Sequence, residues 1–400
     1  MRNSLLPLLI VLMPQIALST LQLGVPVLAP AFVAGIGMAP EAVGLIGGLM
    51  GFGSVWLFAA NQAITPVLGP LRALIAACAL AVTGAALMLT GLWLAVFAGA
   101  ICVGFAYAVT APAGSQILSR HTPRRLWGTL FSIRQSGVPV GGAIAGLVGA
   151  GLAAALDWRI GLAALAALPL LCAGLLSAAP PRFHAGASGA RFRAKALFDP
   201  ADAMRPFRTL RRLPQLLPVT LASLGFAVGQ GSTFAFLTTY LTDGLGLSLA
   251  VAGAIYSVMQ LASFAGRVIV GVVADRLGST RLMMIVMALA SCAAAIMLAQ
   301  FSAAWPRMLL FTGAGLAGVC VATWNGLFLA ELAKLVPPDD VGEATASATF
   351  FTFVAYMVAP PLFGTLVWFA GYAVAYYCVA AVVLGAAVAL WAGSPMRHAG

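Results

Sequence analysis

Two of the chain's 21 lysines and arginines, Arg134 and Arg267, lie inside long apolar runs, about two helical turns from the nearest polar connection. A cation at that depth in a bilayer costs about 2.5 kcal/mol or more unless it is paired or faces a watery cavity. The ten acids lie outside the runs or at their edges. Glu41, Asp157 and Asp243 flank them on one side, and Asp199, Asp202, Asp275, Glu331, Asp339, Asp340 and Glu343 on the other. Neither arginine therefore has a carboxylate at its own depth. A guanidinium presents a planar fork of donors that matches a carboxylate or phosphate, so the chemistry open to these two residues is capture of a small anion. For Arg267 the structural alternative is a bridge to Asp275 or extension of the side chain to the interface. Metal and nucleophilic chemistry lack their materials. His121, His184 and His398 fall in polar connections, and Cys78, Cys102, Cys172, Cys292, Cys320 and Cys378 sit singly in apolar runs with no CxxC or Cys/His cluster. No metal or cofactor site is expected.

The runs that must position these arginines dominate the chain. Of 400 residues 62% are hydrophobic and 8% charged, and the mean hydropathy is +1.03. A soluble fold of this length needs far more surface charge, about 25% on average. The composition excludes soluble, disordered, collagenous and disulfide-stapled classes. The formal charge of +11 does not indicate nucleic acid, because the position of the bases carries the information. Breaking the apolar stretches at charges and Pro/Gly clusters gives twelve spans, at 5–33, 44–64, 73–90, 92–117, 127–154, 160–179, 215–241, 250–273, 282–300, 308–330, 344–368 and 372–392. The first reads as an uncleaved helix rather than a leader, because its run continues past Pro14-Gln15 for a full span.

Twelve spans put both termini on one side. That side collects seventeen bases: Arg2, Arg72, Arg120, Arg124, Arg125, Arg276, Arg281, Lys334, Arg397 and the eight between Arg182 and Arg212. Only Arg159 and Arg307 fall opposite. The positive-inside rule makes the crowded side and both termini cytoplasmic. The expected organisation is a six-helix bundle over 1–179, a basic cytoplasmic linker over 180–214 and a second six-helix bundle over 215–400. The linker reads as a solvated connection; docking to anionic headgroups is the functional alternative.

The halves echo each other: Leu68-Gly69-Pro70-Leu71-Arg72 follows the second span and Leu277-Gly278-Ser279-Thr280-Arg281 the eighth. The second copy belongs to a longer pattern, Gly271-x-x-x-Asp275-Arg276-x-Gly278-x-x-Arg281, which resembles the loop motif of the major facilitator superfamily. In the first half Pro66 stands where the acid should be. Span 5 carries Gly137, Pro139, Gly141 and Gly142, which resemble the glycine–proline motif of superfamily antiporters, one residue short of the usual spacing. Proline bends a helix and glycines admit a close neighbour, so span 5 is expected to bend and slide. Gly44, Gly47, Gly48 and Gly51 in span 2 read as packing seams.

The resemblance implies an all-α membrane protein with twelve transmembrane helices in two pseudo-symmetric bundles, working by alternating access. It implies that spans 1, 4, 7 and 10 line a cavity; their larger polar side chains are Gln15, Tyr107, Gln230, Trp324 and Asn325. With Arg134 and Arg267 these are the candidate substrate contacts, and Gly271, Asp275, Arg276, Gly278 and Arg281 the candidate conformational gate. Monocarboxylate and oxalate–formate carriers of the superfamily likewise use a basic residue in span 8, but Ser263 replaces the acid that monocarboxylate carriers hold one turn earlier. The reading is a monomeric secondary carrier of a small organic anion, without cofactor or nucleic-acid partner, in a bacterial-type inner membrane among its lipids. The alternatives are an exporter of drugs or metabolites and, from other classes, a membrane sensor or integral-membrane enzyme. The topology has a direct check: a fluorescent protein fused to the C-terminus should fluoresce and an alkaline phosphatase fused there should be inactive, and the opposite pair of results would invert the assignment.

Overall fold

The computed structural model describes residues 2–123, 126–184, 200–337 and 340–393. Arg124, Arg125, Arg191, Arg193, Lys195, Asp199, Asp339, Arg397 and His398 lie outside the described residues, as do the side chains of Pro66 and His184. In lipid every backbone polar group must bond within its own segment, and the apolar runs answer by becoming helices. These are α1 (Arg2–Gly35), α2 (Ala42–Leu68), α3 (Pro70–Leu89), α4 (Trp93–His121), α5 (Trp127–Ile144), α6 (Ala150–Ala155), α7 (Trp158–Ser177) and a short α8 (Pro181–His184). After them come α9 (Pro200–Arg212), α10 (Leu217–Thr239), α11 (Leu249–Leu277), α12 (Thr280–Ala299), α13 (Arg307–Ala322), α14 (Asn325–Leu335) and α15 (Val341–Ala392). Among the described residues ten continuous helical stretches are long and apolar enough to cross a membrane. The longest, α15, is two helices joined at Gly371, whose φ of +81° an L-residue with a side chain rarely adopts. That junction falls in the gap expected between the last two spans. Large apolar side chains such as Leu94, Met308, Phe369 and Trp391 point outward, as lipid contact requires.

The helix ends carry local signals. Asp157 caps α7 by accepting from the Arg159 amide at 2.8 Å, and Ser279 caps α12 by accepting from the Leu282 amide at 3.2 Å. Three departures from regular helix have no marker in the apolar pattern. Span 5 contains a π-helical turn at Ala145–Gly149 between α5 and α6, span 7 another at Tyr240–Gly244 after α10, and span 10 is interrupted at Thr323 and Trp324 between α13 and α14. Helical irregularities of this kind inside a membrane persist only where neighbouring protein satisfies the backbone.

The chain forms two compact units, one of residues 1–203 with 235–257, the other of 204–234 with 258–400. In the first unit α1 is the most enclosed helix, and small residues bring its neighbours close. A Cβ at Gly84 of α3 would lie 2.8 Å from the Gly99 carbonyl of α4, and Ser54 of α2 donates to the Gly104 carbonyl of α4 at 2.8 Å. Gly146, within the π turn, meets Gly253 and Ser257 of α11, and Ser257 donates to the Ala143 carbonyl at 2.9 Å. In the second unit Gly318 of α13 abuts Met259, at the start of that unit's part of α11, and Ser291 of α12 donates to the Cys320 carbonyl of α13 at 2.8 Å.

Glycine contact is most consequential between α1 and α5, where a Cβ at Gly141 would lie 2.7 Å from the Thr20 amide nitrogen and 2.8 Å from the Ile16 carbonyl. Gly141→Val is expected to lower stability by about 1–3 kcal/mol through overpacking, read as a fall in the thermal unfolding midpoint of the purified protein. Gly151→Val, with open space around it, should leave that midpoint nearly unchanged.

Candidate functional site

Arg134 projects from the first half of α5, and glycines make room for it on two helices. Gly137, one turn further along α5, lets α1 approach until a Cβ there would stand 3.1 Å from Gln15 Cγ. On α4, a Cβ at Gly114 would stand 3.0 Å from Arg134 Nη1. The guanidinium thus occupies volume that a side chain at 114 would crowd. At 5% exposure it donates from Nη1 to the Thr110 carbonyl at 2.8 Å and to Gln15 Oε1 at 3.3 Å, and from Nη2 to Gln135 Oε1 at 3.4 Å. Gln15, 1% exposed, donates in turn from Nε2 to Ser19 Oγ at 3.3 Å. The Phe131 ring lies 5.9 Å from the guanidinium carbon. Each of these partners is neutral, and Nε is buried with no acceptor among the described residues. The cation is oriented and partly solvated by fixed dipoles, while its charge is left uncompensated.

The second unit holds a neutral cluster. Gln230 of α10 receives three donors at its Oε1: Tyr356 Oη at 2.9 Å, Trp324 Nε1 at 3.0 Å and Asn325 Nδ2 at 3.5 Å. An indole N–H only donates, so the atom it meets must be the amide oxygen, and the orientation of Gln230 is fixed by chemistry. Trp324 is wholly buried, stacked on Phe226 with centroids 5.2 Å apart and edge-on to Phe328 at 5.7 Å. It stands where α13 stops and α14 begins, so the interruption of span 10 is held by side chains from α10 and α15. Gly231 admits the Tyr356 ring, which a Cβ there would approach to 3.0 Å.

Two clusters thus gather the sequence candidates, Arg134 with Gln15 in one and Gln230 with Trp324 and Asn325 in the other. Tyr107 is half-buried on α4, one turn before Thr110. Arg267 is half-buried on α11, one turn after the buried Ser263. Gly278 takes a positive φ of 65° between α11 and α12, and a Cβ at Gly271 would meet open space. Asp275 and Arg276 are exposed. Arg281 reaches Glu331 of α14, Nε to Oε1 at 3.5 Å, and donates to the Gly393 carbonyl at 2.8 Å. Lys334 donates to Thr280 Oγ1 beside them. Pro139, Gly141 and Gly142 are buried within α5.

Sequence reasoning missed Tyr356, Gly114, the Thr110 carbonyl and Glu331. Tyr356 lies on span 11, which the resemblance does not place at the cavity, and a backbone carbonyl has no residue signature. Gly114 follows Pro112-Ala113 in α4, a local small-residue stretch that could have flagged room for a neighbour.

Helices of this length and composition, with polar clusters buried in mid-span, define an all-α integral membrane protein. The chain belongs to the Major Facilitator Superfamily, whose family profile matches residues 12–327 and 271–399. Among curated relatives it is 27% identical over 290 residues to an uncharacterized MFS-type transporter of Mycobacterium tuberculosis, covering 71% of this chain and 61% of that one. It is 26% identical over 168 residues to an MFS-type transporter of Gibberella moniliformis, covering 42% and 39%. The matched segment thus spans less than two thirds of either relative. Among solved structures the nucleoside transporter NupG superposes with a TM-score of 0.77 at 15% identity, covering 98% of this chain and 100% of that one. A D-xylose–proton symporter gives 0.74 at 17%, covering 98% and 97%, and a peptide transporter in complex with sulfate gives 0.76 at 13%, covering 96% and 94%. At such identities the likeness is one of fold.

The Gln230 hub has a testable energetic signature. Gln230→Met removes the shared acceptor and leaves the buried indole N–H of Trp324 unpaired, an expected loss of about 1–3 kcal/mol in a thermal or denaturant unfolding measurement. Tyr356→Phe removes a single donor and should cost less, about 0.5–1.5 kcal/mol.

Proposed function

We propose that the chain is a secondary carrier that moves a small organic anion, a carboxylate by preference, across the membrane by alternating access. The supporting observation is Arg134: a guanidinium at 5% exposure, held by the Thr110 carbonyl and the amides of Gln15 and Gln135, with no carboxylate against it among the described residues. An amide–carbonyl cradle orients the fork without neutralising it, so an entering anion supplies the countercharge. Gln15, Tyr107, Gln230, Trp324 and Asn325 provide neutral polar contacts, and Arg267 is the second cation of the reading. In this scheme the glycine seam Gly137–Gly141 allows α5 to shift against α1 as the carrier rocks, and the Arg281–Glu331 pair belongs to the gate. Both termini and the basic linker face the cytoplasm.

Uptake and counterflow of labelled mono- and dicarboxylates in proteoliposomes test the reading. Loss of a charge-assisted interaction worth about 1.5–3 kcal/mol predicts that Arg134→Gln transports at least about tenfold more slowly, with partial recovery in Arg134→Lys. Carboxylate transport by Arg134→Gln at the wild-type rate, or transport of bulky cations with indifference to every anion, would overturn it.

A further inference from the structure

At the end of the first unit where α1 begins and α4 finishes, a cavity of about 340 Å³ is lined by Pro7, His121, Arg182 and Phe183. It is built around one ring. Phe183, 1% exposed, lies against the His121 imidazole with centroids 4.5 Å apart, and the Arg182 guanidinium sits 5.1 Å over the same phenyl ring. The Phe183 ring of the short α8 thus touches both the imidazole at the end of α4 and the guanidinium of its own neighbour. His121 Nδ1 lies 3.0 Å from the Ile117 carbonyl; a carbonyl only accepts, so Nδ1 carries the proton and Nε2 is the ring atom available to a ligand. Arg182 is exposed, with its guanidinium over the Phe183 ring and its donors open to a guest. A cavity of this volume suits a small ligand or a headgroup.

Among the first 184 residues the charges at this end of the unit are basic. Between residues 2 and 184 the sequence has two acids, Glu41 and Asp157. They stand just before α2 and α7, at the helix ends opposite this one. Arg120 lies beside His121, and α8 packs on α3, which starts beside Arg72. Apolar side chains are exposed toward the same end of the unit: Leu5 and Leu9 on α1, and Leu171 and Leu175 near the end of α7. A basic recess with an aromatic floor at the tips of apolar, lipid-facing helices has the makeup of an amphiphile's site, with the charged part in the recess and the chains along the leucines.

We propose that this recess is a binding site for a phosphate-bearing anion, with an anionic phospholipid as the source. Its phosphodiester would be held by the Arg182 fork, a hydroxyl of its headgroup would donate to His121 Nε2, and its acyl chains would lie against α1 and α7. This site is separate from the Arg134 cluster, and its occupancy does not depend on which solute the carrier moves.

Native mass spectrometry of the purified full-length chain, titrated with phosphatidylglycerol or phosphatidylcholine, tests the proposal alongside thermal shift with inorganic phosphate. Retained phosphatidylglycerol adducts are expected, with phosphatidylcholine retained far less. Arg182→Gln should weaken phosphatidylglycerol retention about tenfold, as loss of one charge-assisted contact implies. Arg182→Lys should recover part of it, and Arg159→Gln, at the opposite helix ends, should leave it unchanged. Inorganic phosphate that stabilises the wild type but not Arg182→Gln, without selective lipid retention, would keep the phosphate site and assign it to the free ion. Equal retention of phosphatidylglycerol by wild type and Arg182→Gln, with no phosphate effect, would overturn the proposal.

Discussion

A guanidinium held within a membrane span by neutral oxygens is the constraint around which the first unit is arranged. Removing Arg134 from water is unfavourable, and the unit offsets this with one carbonyl and two side-chain amides placed at hydrogen-bond distance. Such dipoles orient a cation and recover part of its lost hydration, but they leave its net charge in place. The surrounding glycines follow from this arrangement. Gly114 yields the volume that the guanidinium occupies, and Gly137 and Gly141 bring α1 near enough for Gln15 to reach it. A carboxylate in place of Gln15 would make a closed ion pair, a stable core feature with much less attraction left for a solute.

The second unit solves a different problem with related means. Three of its polar side chains meet at a single amide oxygen, which accepts from an indole, a phenol and a second amide. That hub pins the interruption between α13 and α14, where helical hydrogen bonding alone would not hold the chain. The ion pairs of this unit lie elsewhere. Arg212 pairs with Asp340 and Glu343 at exposed helix ends, where water lowers the cost of bringing two charges together, whereas Arg281 and Glu331 form a largely buried pair in which each charge has its partner. Acids thus accompany cations at the ends of helices, whereas the Arg134 cluster in mid-span has none.

Close helix crossings join these chemical features to motion. The Gly146 contact with Gly253 and Ser257, and the Gly141 contact with Thr20, place backbone against backbone, a geometry that permits sliding without repacking of large side chains. The π turn at Ala145–Gly149 lies directly after α5, so the helix that carries Arg134 also carries the irregularity where its curvature can change.

The amino-acid sequence alone determined the class of protein, the apolar runs that become its helices and the lack of an acid within those runs beside the two arginines. These follow from one-dimensional quantities: run length against bilayer thickness, and the chain position of every charge. Glycine spacing in span 5 likewise announced a close helix contact, and the break at Gly371 fell where the apolar pattern paused. Tertiary structure decided which neutral atoms meet the arginine. Whether Gln15 or some other polar residue of α1 faces Arg134 depends on helix rotation and crossing, and the Thr110 carbonyl has no side-chain identity to read. It also decided that Arg281 reaches Glu331 while Asp275 stays exposed, and that Tyr356 joins Gln230, because these pairs are separated by tens of residues or more along the chain. Such partnerships are products of packing, in which one glycine or one added methyl group changes the neighbours a side chain can reach.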